Sequence, residues 1–301
     1  MKKNRIRFVM PSHSLTFNDI KKNGYDVRVN YYGNKMPFRL LRELHFRLPL
    51  PMKKVWYNKA NTNFSGIIIV YENLIIPEYI KWLHDNNSEA RIILFYENLS
   101  NTRNNPELID NEWCEKWTAD SNEAKKYNIN LYSGGGYFEH WIVNKKTPDI
   151  DVFYIGKDKN RLEKLKNIKK MCDKYDISTY FYLVQDRGYK KNDKIHHPFL
   201  PYSEVLQIIG RSKAILHLVE GCQKGITMRI EESLIHKVKL ITDDVSIKKY
   251  DFYNSNNIFV IGDDKWENLK TFLNTPFVEV ESSFYENANF DDFVRTLVGG
   301  N

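Results

Sequence analysis

The feature that most constrains the fold is a pair of uninterrupted apolar runs in the first third of the chain. Residues 67–70 read Ile-Ile-Ile-Val and residues 92–95 read Ile-Ile-Leu-Phe, with a short helical pattern from Pro77 to Asp85 between them. Because these runs do not alternate apolar with polar residues, they predict strands that are buried on both faces. Strands of this kind joined by helices are typical of α/β folds with a parallel sheet.

The same alternation continues along the chain. Strands are predicted at residues 5–10, 54–57, 66–71, 91–96, 151–155, 178–184, 214–219, 239–242 and 258–261, and helices at 158–175, 203–209, 227–236 and 265–273. A boundary near Lys145–Pro148 divides the chain into an N-terminal Rossmann-like domain, residues 1–148, and a C-terminal one, residues 149–301. We therefore expect an α/β protein of two Rossmann-like domains with an interdomain cleft, whose ligands bind beyond the carboxyl ends of the strands.

Charge and cysteine content limit the partners and the compartment. The formal net charge is +7, which favours anionic partners such as a nucleic acid, an anionic membrane or a phosphorylated substrate, although surplus lysine also serves solubility alone. No stretch reaches the roughly 18 to 20 apolar residues that span a bilayer, and no signal peptide is evident. Three widely spaced cysteines without a CxxC pair indicate reduced thiols and argue against zinc. We expect a cytoplasmic protein, with the inner face of the cell membrane as a further location.

The segment from Pro201 to Asp244 carries the most chemistry. A predicted strand at 214–219 leads into a loop containing Gly225, and then into a helix that begins near Thr227. Such a loop presents unpaired backbone N–H groups and the positive end of the helix dipole, which suit a diphosphate. Lys224 and Arg229 add full charges nearby, and an arginine can hold a phosphate with two hydrogen bonds.

Two adjacent carboxylates follow on the same helix. Only one of Glu231 and Glu232 can face the loop, and we select Glu232 because a carboxylate there can accept hydrogen bonds from the ribose hydroxyls of a nucleotide. The alternative places both glutamates on a solvated helix face.

These residues resemble the donor-binding segment of GT-B glycosyltransferases, most closely the bacterial enzymes of capsule, lipopolysaccharide and exopolysaccharide assembly. The family run reads roughly Gly-x-Thr-x-Arg-x-x-Glu-Ala-Leu, which is matched here by Gly225, Thr227, Arg229, Glu232, Ser233 and Leu234, with Ser233 in place of alanine. The likeness extends from about Asp151 to Phe277. The E-x7-E spacing of the commonest retaining families is not met, since Glu220 lies twelve residues before Glu232.

The resemblance implies roles for further residues. Tyr202 or Pro201 would lie against the nucleotide base, and the phosphates would lie near Gly225 to Arg229. The resemblance also implies a nucleotide-sugar donor as substrate, with neither cofactor nor metal required.

Candidate catalytic residues follow strands of the first half. His13 lies in the loop after the first strand and could act as a general base, because its pKa is near working pH. Glu72 and Glu97 both follow apolar strands and could deprotonate an acceptor hydroxyl. The alternatives are a hydrogen-bonded loop histidine for His13 and a capping role for each glutamate; for Asp120, helix capping is preferred over catalysis.

Three other patterns are less specific. Gly134–Gly136 lacks the following Lys-Ser/Thr of a phosphate loop and is interpreted as a tight or flexible loop. The string Asp149-Ile150-Asp151 matches the metal-binding D-x-D of GT-A enzymes but lacks its context. Residues 39–48 mix apolar and basic residues at helical spacing, which suits either an anionic bilayer and a lipid-linked acceptor or an ordinary core-facing helix.

The sequence thus predicts a glycosyltransferase of class EC 2.4 that moves a sugar from a nucleotide-diphosphate donor to a saccharide or lipid-linked saccharide acceptor in bacterial surface polysaccharide synthesis. The alternative is a non-catalytic nucleotide- or glycan-binding α/β protein, because fold does not fix function. Nucleic-acid binding is not favoured, because the basic residues are scattered and no recognised motif accompanies them.

Overall fold

A computed structural model describes residues 2–185, 195–219 and 225–299, and within them the chain forms two compact units. The first contains the residues up to Ser133 together with those from Val294 onward, and the second runs from Gly134 to Phe293. The boundary therefore lies upstream of the predicted division at residues 148 and 149, and the C-terminal segment returns to the first unit.

Backbone hydrogen bonds explain the earlier boundary. The amides of Gly135 and Tyr137 donate to the carbonyl oxygens of Asn287 and Ala288, both at 2.9 Å, and the amide of Phe290 donates back to Tyr137 at 3.0 Å. Residues just after Ser133 are thus tied to a distant part of the second unit. These pairings are far apart in sequence and leave no local signal.

The first unit is built on a six-stranded sheet. Its strands are β1 (Ile6–Met10), β2 (Asp26–Val29), β3 (Ile67–Tyr71), β4 (Arg91–Tyr96), β5 (Glu115–Thr118) and β6 (Asn130–Leu131), and its helices are α1 (Phe17–Lys22), α2 (Phe38–Arg47), α3 (Pro77–Asp85) and α4 (Ser121–Tyr127). The strand order is β2-β1-β3-β4-β5-β6 and neighbouring strands are parallel, with Val9 of β1 opposite Val70 of β3. The buried apolar runs at β3 and β4 fill the middle of this sheet.

The second unit is also built on a six-stranded parallel sheet. Its strands are β7 (Ile150–Lys157), β8 (Thr179–Val184), β9 (His196–His197), β10 (Ser212–His217), β11 (Lys239–Thr242) and β12 (Ile258–Val260), and its helices are α5 (Leu162–Lys174), α6 (Tyr202–Ile209), α7 (Met228–His236), α8 (Leu269–Asn274) and α9 (Ser283–Glu286). The order is β12-β11-β10-β7-β8-β9. Helix α10 (Phe290–Gly299) begins in this unit and ends in the first.

Each unit has its own apolar core between sheet and helices. In the second unit Val152 and Leu216 of the central strands meet Leu165 and Ile168 of α5. In the first unit the buried rings of Tyr31 and Tyr79 lie edge to face, with centroids 4.8 Å apart. The prediction of an α/β chain with two Rossmann-like domains is confirmed.

Two local predictions are wrong. The strand predicted at residues 54–57 is instead a 3-10 turn, Lys53–Trp56, and only Tyr57 makes an isolated bridge to Tyr31. Helix α6 starts at Tyr202 after Pro201, so Ser203 lies inside it and is not its N-cap. Proline fits at a helix start because it has no N–H to leave unpaired.

In the described part of the chain no helix combines the length and the apolar content needed to cross a bilayer.

Candidate functional site

The strand order of the second sheet identifies where a ligand fits. The chain runs outward from β7 through β8 to β9, and then returns to the other side of β7 to form β10, β11 and β12. In open parallel sheets ligands bind beyond the carboxyl ends of the strands at the point where the order reverses. Here that point lies between the ends of β7 and β10, where the chain places the loop from Asp158 to Arg161 and the side chain of His217.

Two arginines from different elements act on this point. Burial raises the pKa of Tyr154 on β7, and the charges of Arg161 and Arg229 oppose that rise. Burial lowers the pKa of His217 to about 4; the carboxylates after β11 oppose this change, and the same two arginines reinforce it. Both guanidinium groups therefore act on the same two buried side chains at the strand ends. The result is a concentration of positive charge beside a neutral histidine.

The start of α7 adds to this charge. Thr227 occupies the N-cap position but caps no backbone N–H with its side chain, and its buried Oγ1 has no hydrogen-bond partner within the described residues. Gly225 lies two residues before it, and Arg229 lies in the first turn. The first turn of a helix carries N–H groups without intrahelical acceptors and a partial positive charge. Lys224 lies outside the described residues.

Glu232 occupies the inner side of the same helix. It is fully buried; the Tyr202 hydroxyl donates to its Oε1 at 2.9 Å, and the Arg229 guanidinium pairs with its Oε2. Burial raises the pKa of Glu232, and Arg229 and Tyr202 oppose that rise. The carboxylate therefore holds these two side chains in place, and its contact with a ribose stays a prediction. Half-buried Glu231 accepts a long bond of 3.4 Å from the Gly136 amide.

Aromatic side chains surround Tyr202. Its ring meets Trp141 edge to face, with centroids 4.6 Å apart, and Trp141 in turn meets Tyr137 at 5.3 Å. The Tyr137 hydroxyl lies 2.6 Å from Nε2 of buried His236 on α7. Burial lowers the pKa of His236 to about 4, so this ring is neutral at pH 7. Tyr202 is thus fixed between α7 and residues 137–141, which sequence patterns did not single out.

Asp158 positions Arg161 at the end of β7. Its Oδ1 accepts a 3.0 Å bond from the Leu162 amide, and its Oδ2 lies 3.2 Å from Nε2 of His196, so both ends of the buried carboxylate are engaged. Lys159 and Asn160 adopt positive φ values of 44° and 65°, which an α-helix does not permit. The helix predicted to begin at Asp158 therefore begins at Leu162, and Arg161 becomes its N-cap residue beside the strand ends.

The first sheet has its reversal between β1 and β3, and the predicted catalytic residues lie along its carboxyl edge. His13 is exposed in the loop after β1. Glu72 after β3 is buried, and its carboxylate accepts bonds from the amides of Glu97 and Asn98 at 3.1 and 3.3 Å. These bonds hold the backbone of the loop after β4. They match the capping role that was the alternative to catalysis for Glu72.

Glu97 differs from Glu72 in its exposure. Desolvation is the main cause that raises the pKa of Glu97, and the negative charge of nearby Glu72 raises this pKa further. The residue is nevertheless exposed, so solvent screening limits that rise. Asp120 caps α4, since its Oδ1 accepts from the amides of Asn122 and Glu123 at 2.8 and 2.9 Å, and the capping prediction is confirmed.

The D-x-D string lies at the opposite, amino edge of the second sheet. Asp149 pairs with Arg211 at 2.6 Å, and Asp151 pairs with Lys213 at 2.8 Å while accepting from the Ser178 amide. Across residues 2–185, 195–219 and 225–299, no group of three or more His, Cys, Asp or Glu side chains is arranged to hold a metal ion. The two aspartates serve as partners for basic side chains.

Comparisons with known proteins were made by sequence and by structure. No protein-family model matches the chain, and no curated protein matches its sequence. Among solved structures, spinosyn forosaminyltransferase SpnP overlaps with a TM-score of 0.44 at 12% identity, covering 90% of each chain. An α1,3-fucosyltransferase with GDP gives 0.47 at 10% identity, covering 100% of this chain and 92% of the other. A 3-phosphoglycerate dehydrogenase with NAD+ from Entamoeba histolytica gives 0.21 at 13%, covering 90% and 92%. Because these TM-scores are below 0.5, the function has to be inferred from this chain's own residues.

Proposed function

We propose that the chain is a glycosyltransferase that binds a nucleoside-diphosphate sugar at the carboxyl edge of its second sheet. The observation that carries this proposal is that Arg161, at the N-cap of α5 after β7, and Arg229, in the first turn of α7, act on the same buried side chains at the reversal of strand order. Two guanidinium groups and a helix N-terminus together suit two adjacent phosphates, and a single phosphate needs fewer donors.

The same groups supply what glycosyl transfer requires of a donor site. When the bond between sugar and phosphate breaks, negative charge grows on the departing nucleoside diphosphate. Arg161 and Arg229 are already in place near that charge, so little reorganisation is needed as the bond breaks. His217 is neutral at working pH because of its burial, and it therefore contributes no positive charge to the leaving group.

Glu232 and Tyr202 act in this proposal as positioning residues. The buried carboxylate directs Arg229 toward the strand ends, and Tyr202 completes the carboxylate's hydrogen bonding. Arg229 retains 22% of its side-chain exposure, so it can reach a ligand while it remains paired. A guanidinium has five N–H donors, so pairing with one carboxylate leaves others for a phosphate.

The acceptor side of the reaction is assigned to the first unit. His13 and Glu97 are its candidate bases, because both are exposed at the carboxyl edge of that sheet. Glu72 supports the Glu97 loop. The resemblance of Gly225, Thr227, Arg229 and Glu232 to the bacterial surface-glycan enzymes supports a saccharide acceptor in bacterial surface polysaccharide synthesis, with metal-independent transfer as part of the same proposal.

A nucleotide screen with matched arginine variants tests the donor site. The full chain is melted with UDP, GDP, ADP, dTDP and CMP, each with magnesium and with a chelator, because binding to the folded state raises the melting temperature. We expect one diphosphate to respond without metal. Arg161→Ala and Arg229→Ala should each weaken its binding about ten- to a hundredfold, the loss of one charge-assisted contact.

Arg211 provides the control. It is a partly exposed arginine of the same unit, paired with Asp149 at the amino edge of the sheet, and Arg211→Ala should leave the affinity within about twofold. Turnover is then measured as release of the responding diphosphate from its sugar conjugates, and Arg229→Ala should lower it more than about tenfold. No response to any nucleotide, or an equal loss in Arg211→Ala, contradicts the donor site. Binding without transfer to any saccharide would instead favour a nucleotide-binding protein.

A further inference from the structure

One short stretch of the first unit gathers exposed apolar side chains. Of the twenty-one large hydrophobic side chains exposed in the described part of the chain, ten lie between residues 32 and 55. Four of them form the outward stripe of α2 and its C-cap, which we call the leucine face: Leu40, Leu41, Leu44 and Leu48. Leu40 and Leu44 are 57% and 55% exposed, and Met52, just beyond, is 73% exposed. Concentrated apolar exposure of this kind marks an interaction surface in soluble proteins.

The orientation of α2 is fixed by its inner side, which carries an arginine. Arg42 is 2% exposed; its guanidinium donates to the Tyr32 carbonyl at 2.8 Å and to Asn34 Oδ1 at 3.0 Å, and it lies over the Tyr31 ring. Phe46, one turn later, is buried beside Tyr31. Rotating the helix to bury its leucines would break these bonds and expose Phe46. The outward leucine face is therefore the stable arrangement of this helix.

The segment after α2 is held beside it. The His45 Nε2 lies 2.8 Å from the Pro51 carbonyl oxygen, and the Trp56 indole donates to His45 Nδ1 at 2.9 Å. These bonds keep the turn that carries exposed Met52 and Val55 next to the helix. The apolar surface thus extends from the leucine face onto the following turn.

Basic side chains accompany the apolar ones. Lys35, Arg47 and Lys54 are exposed within residues 32–55. The acidic residue of this stretch, Glu43, is half-buried between Arg42 and Arg103 at 3.5 and 3.6 Å. An apolar face bordered by exposed positive charge is complementary to a surface with an apolar interior and negative headgroups.

We propose that the leucine face, with the turn after it, docks onto an anionic lipid bilayer. The leucines enter the boundary between headgroups and acyl chains, and Arg47 and Lys54 contact the phosphates. A second copy of the chain is the less suitable occupant, because a twofold interface pairs the same patch with itself and would bring these positive charges together. The inference is independent of the proposed donor site, since docking is measured without any sugar nucleotide.

Vesicle co-sedimentation tests this docking. The full chain is mixed with vesicles of phosphatidylcholine alone, or of phosphatidylcholine with phosphatidylglycerol, at low and at high salt. We expect binding to the anionic vesicles that falls with added salt, since exposed charges are screened. The double variant Leu40→Ser, Leu44→Ser should lower the partition coefficient at least about tenfold, because two leucines no longer enter the bilayer.

Matched variants separate docking from misfolding and from nonspecific charge. Leu108→Ser removes an equally exposed leucine elsewhere in the unit, and Lys22→Glu reverses an exposed charge on α1; both should bind like the native chain. Arg47→Glu should weaken binding to anionic vesicles, and all variants should keep the native melting temperature because the changed side chains are exposed.

Three results overturn the proposal. The first would be a native chain that does not sediment with anionic vesicles. The second would be a Leu40→Ser, Leu44→Ser variant that sediments as well as the Leu108→Ser variant. The third would be a dimer, seen by light scattering, that the double variant converts to a monomer while vesicle binding is unchanged. That last result would assign the surface to a second copy of the chain.

Discussion

The side chains at positions 231 and 232 are adjacent in sequence but differ in burial, so paired substitutions test the site directly. Glu232 is fully buried, with Tyr202 and Arg229 on its two oxygens. Glu231 is half-buried and has a 3.4 Å contact to the Gly136 amide. We expect Glu232→Ala to destabilise the second unit strongly and Glu231→Gln to change it little.

The magnitude follows from the contacts that are lost. Removing one partner of a buried ion pair costs about 3–5 kcal/mol, and a buried hydroxyl left without its acceptor costs about 1–3 kcal/mol. Because Arg229 is 22% exposed, water recovers part of the first cost, and the total for Glu232→Ala should be about 3 kcal/mol. Glu232→Gln keeps an acceptor for Tyr202 and should cost about 1–2 kcal/mol. Glu231→Gln should cost no more than about 0.5 kcal/mol.

Urea denaturation followed by circular dichroism gives the free energy of unfolding for each variant. Because a chain of two units need not unfold in one step, the opening of α7 is also measured by hydrogen exchange at the amides of Ile230 to His236. Glu232→Ala should speed exchange there, and Glu231→Gln should not. A Glu232→Ala variant within about 0.5 kcal/mol of the native chain, or an equally damaging Glu231→Gln, would refute the role given to the buried carboxylate.

Two further predictions concern stability. Asp120→Ala should lower the free energy of unfolding by about 1 kcal/mol through loss of the α4 cap, as measured by urea denaturation, and Asp120→Asn should recover most of it; a silent alanine variant would contradict the cap. His217 has a folded pKa near 4 against an unfolded value near 6.5, so the unfolded state binds more protons between these values. Stability should therefore fall by up to roughly 3 kcal/mol as pH decreases from 6.5 to 4, and a His217→Gln variant with an unchanged pH profile would exclude that contribution.

Strands with apolar runs could be predicted from the sequence, whereas strands that depend on distant charges could not. The predicted strands at 91–96 and 239–242 match β4 and β11 in full. β2 and β5 were missed because they are rich in charge. The Asp26 carboxylate of β2 pairs with Arg7 on β1, and Glu115 of β5 pairs with Arg91 on β4, at 2.7 and 2.6 Å. Such cross-strand pairs make a polar strand fit a sheet, but the partners are not neighbours in sequence.

One part of the candidate site could be predicted from a local sequence pattern, and another part could not. The helix start with Thr227 and Arg229 could be identified, because a glycine-containing loop before an amphipathic helix is a local pattern. Arg161 was overlooked because the periodicity of α5 continues backward through residues 158–161, where the positive φ values of Lys159 and Asn160 end the helix. The signal that could have identified it is the run of charged and turn-forming residues directly after β7.

The two sheets carry opposite charge at their carboxyl edges, and that contrast supports the different roles proposed for them. At the reversal of the second sheet, the positive charges of Arg161 and Arg229 act on a neutral histidine, and this suits a leaving group that gains negative charge. At the carboxyl edge of the first sheet, buried Glu72 holds the loop that carries exposed Glu97, and this acidic pair suits proton removal by Glu97 and repels a phosphate. A protein that bound nucleotides without catalysing a reaction would need only the two arginines at the reversal of the second sheet. The acidic edge of the first unit is therefore what the proposed enzyme needs beyond its donor site.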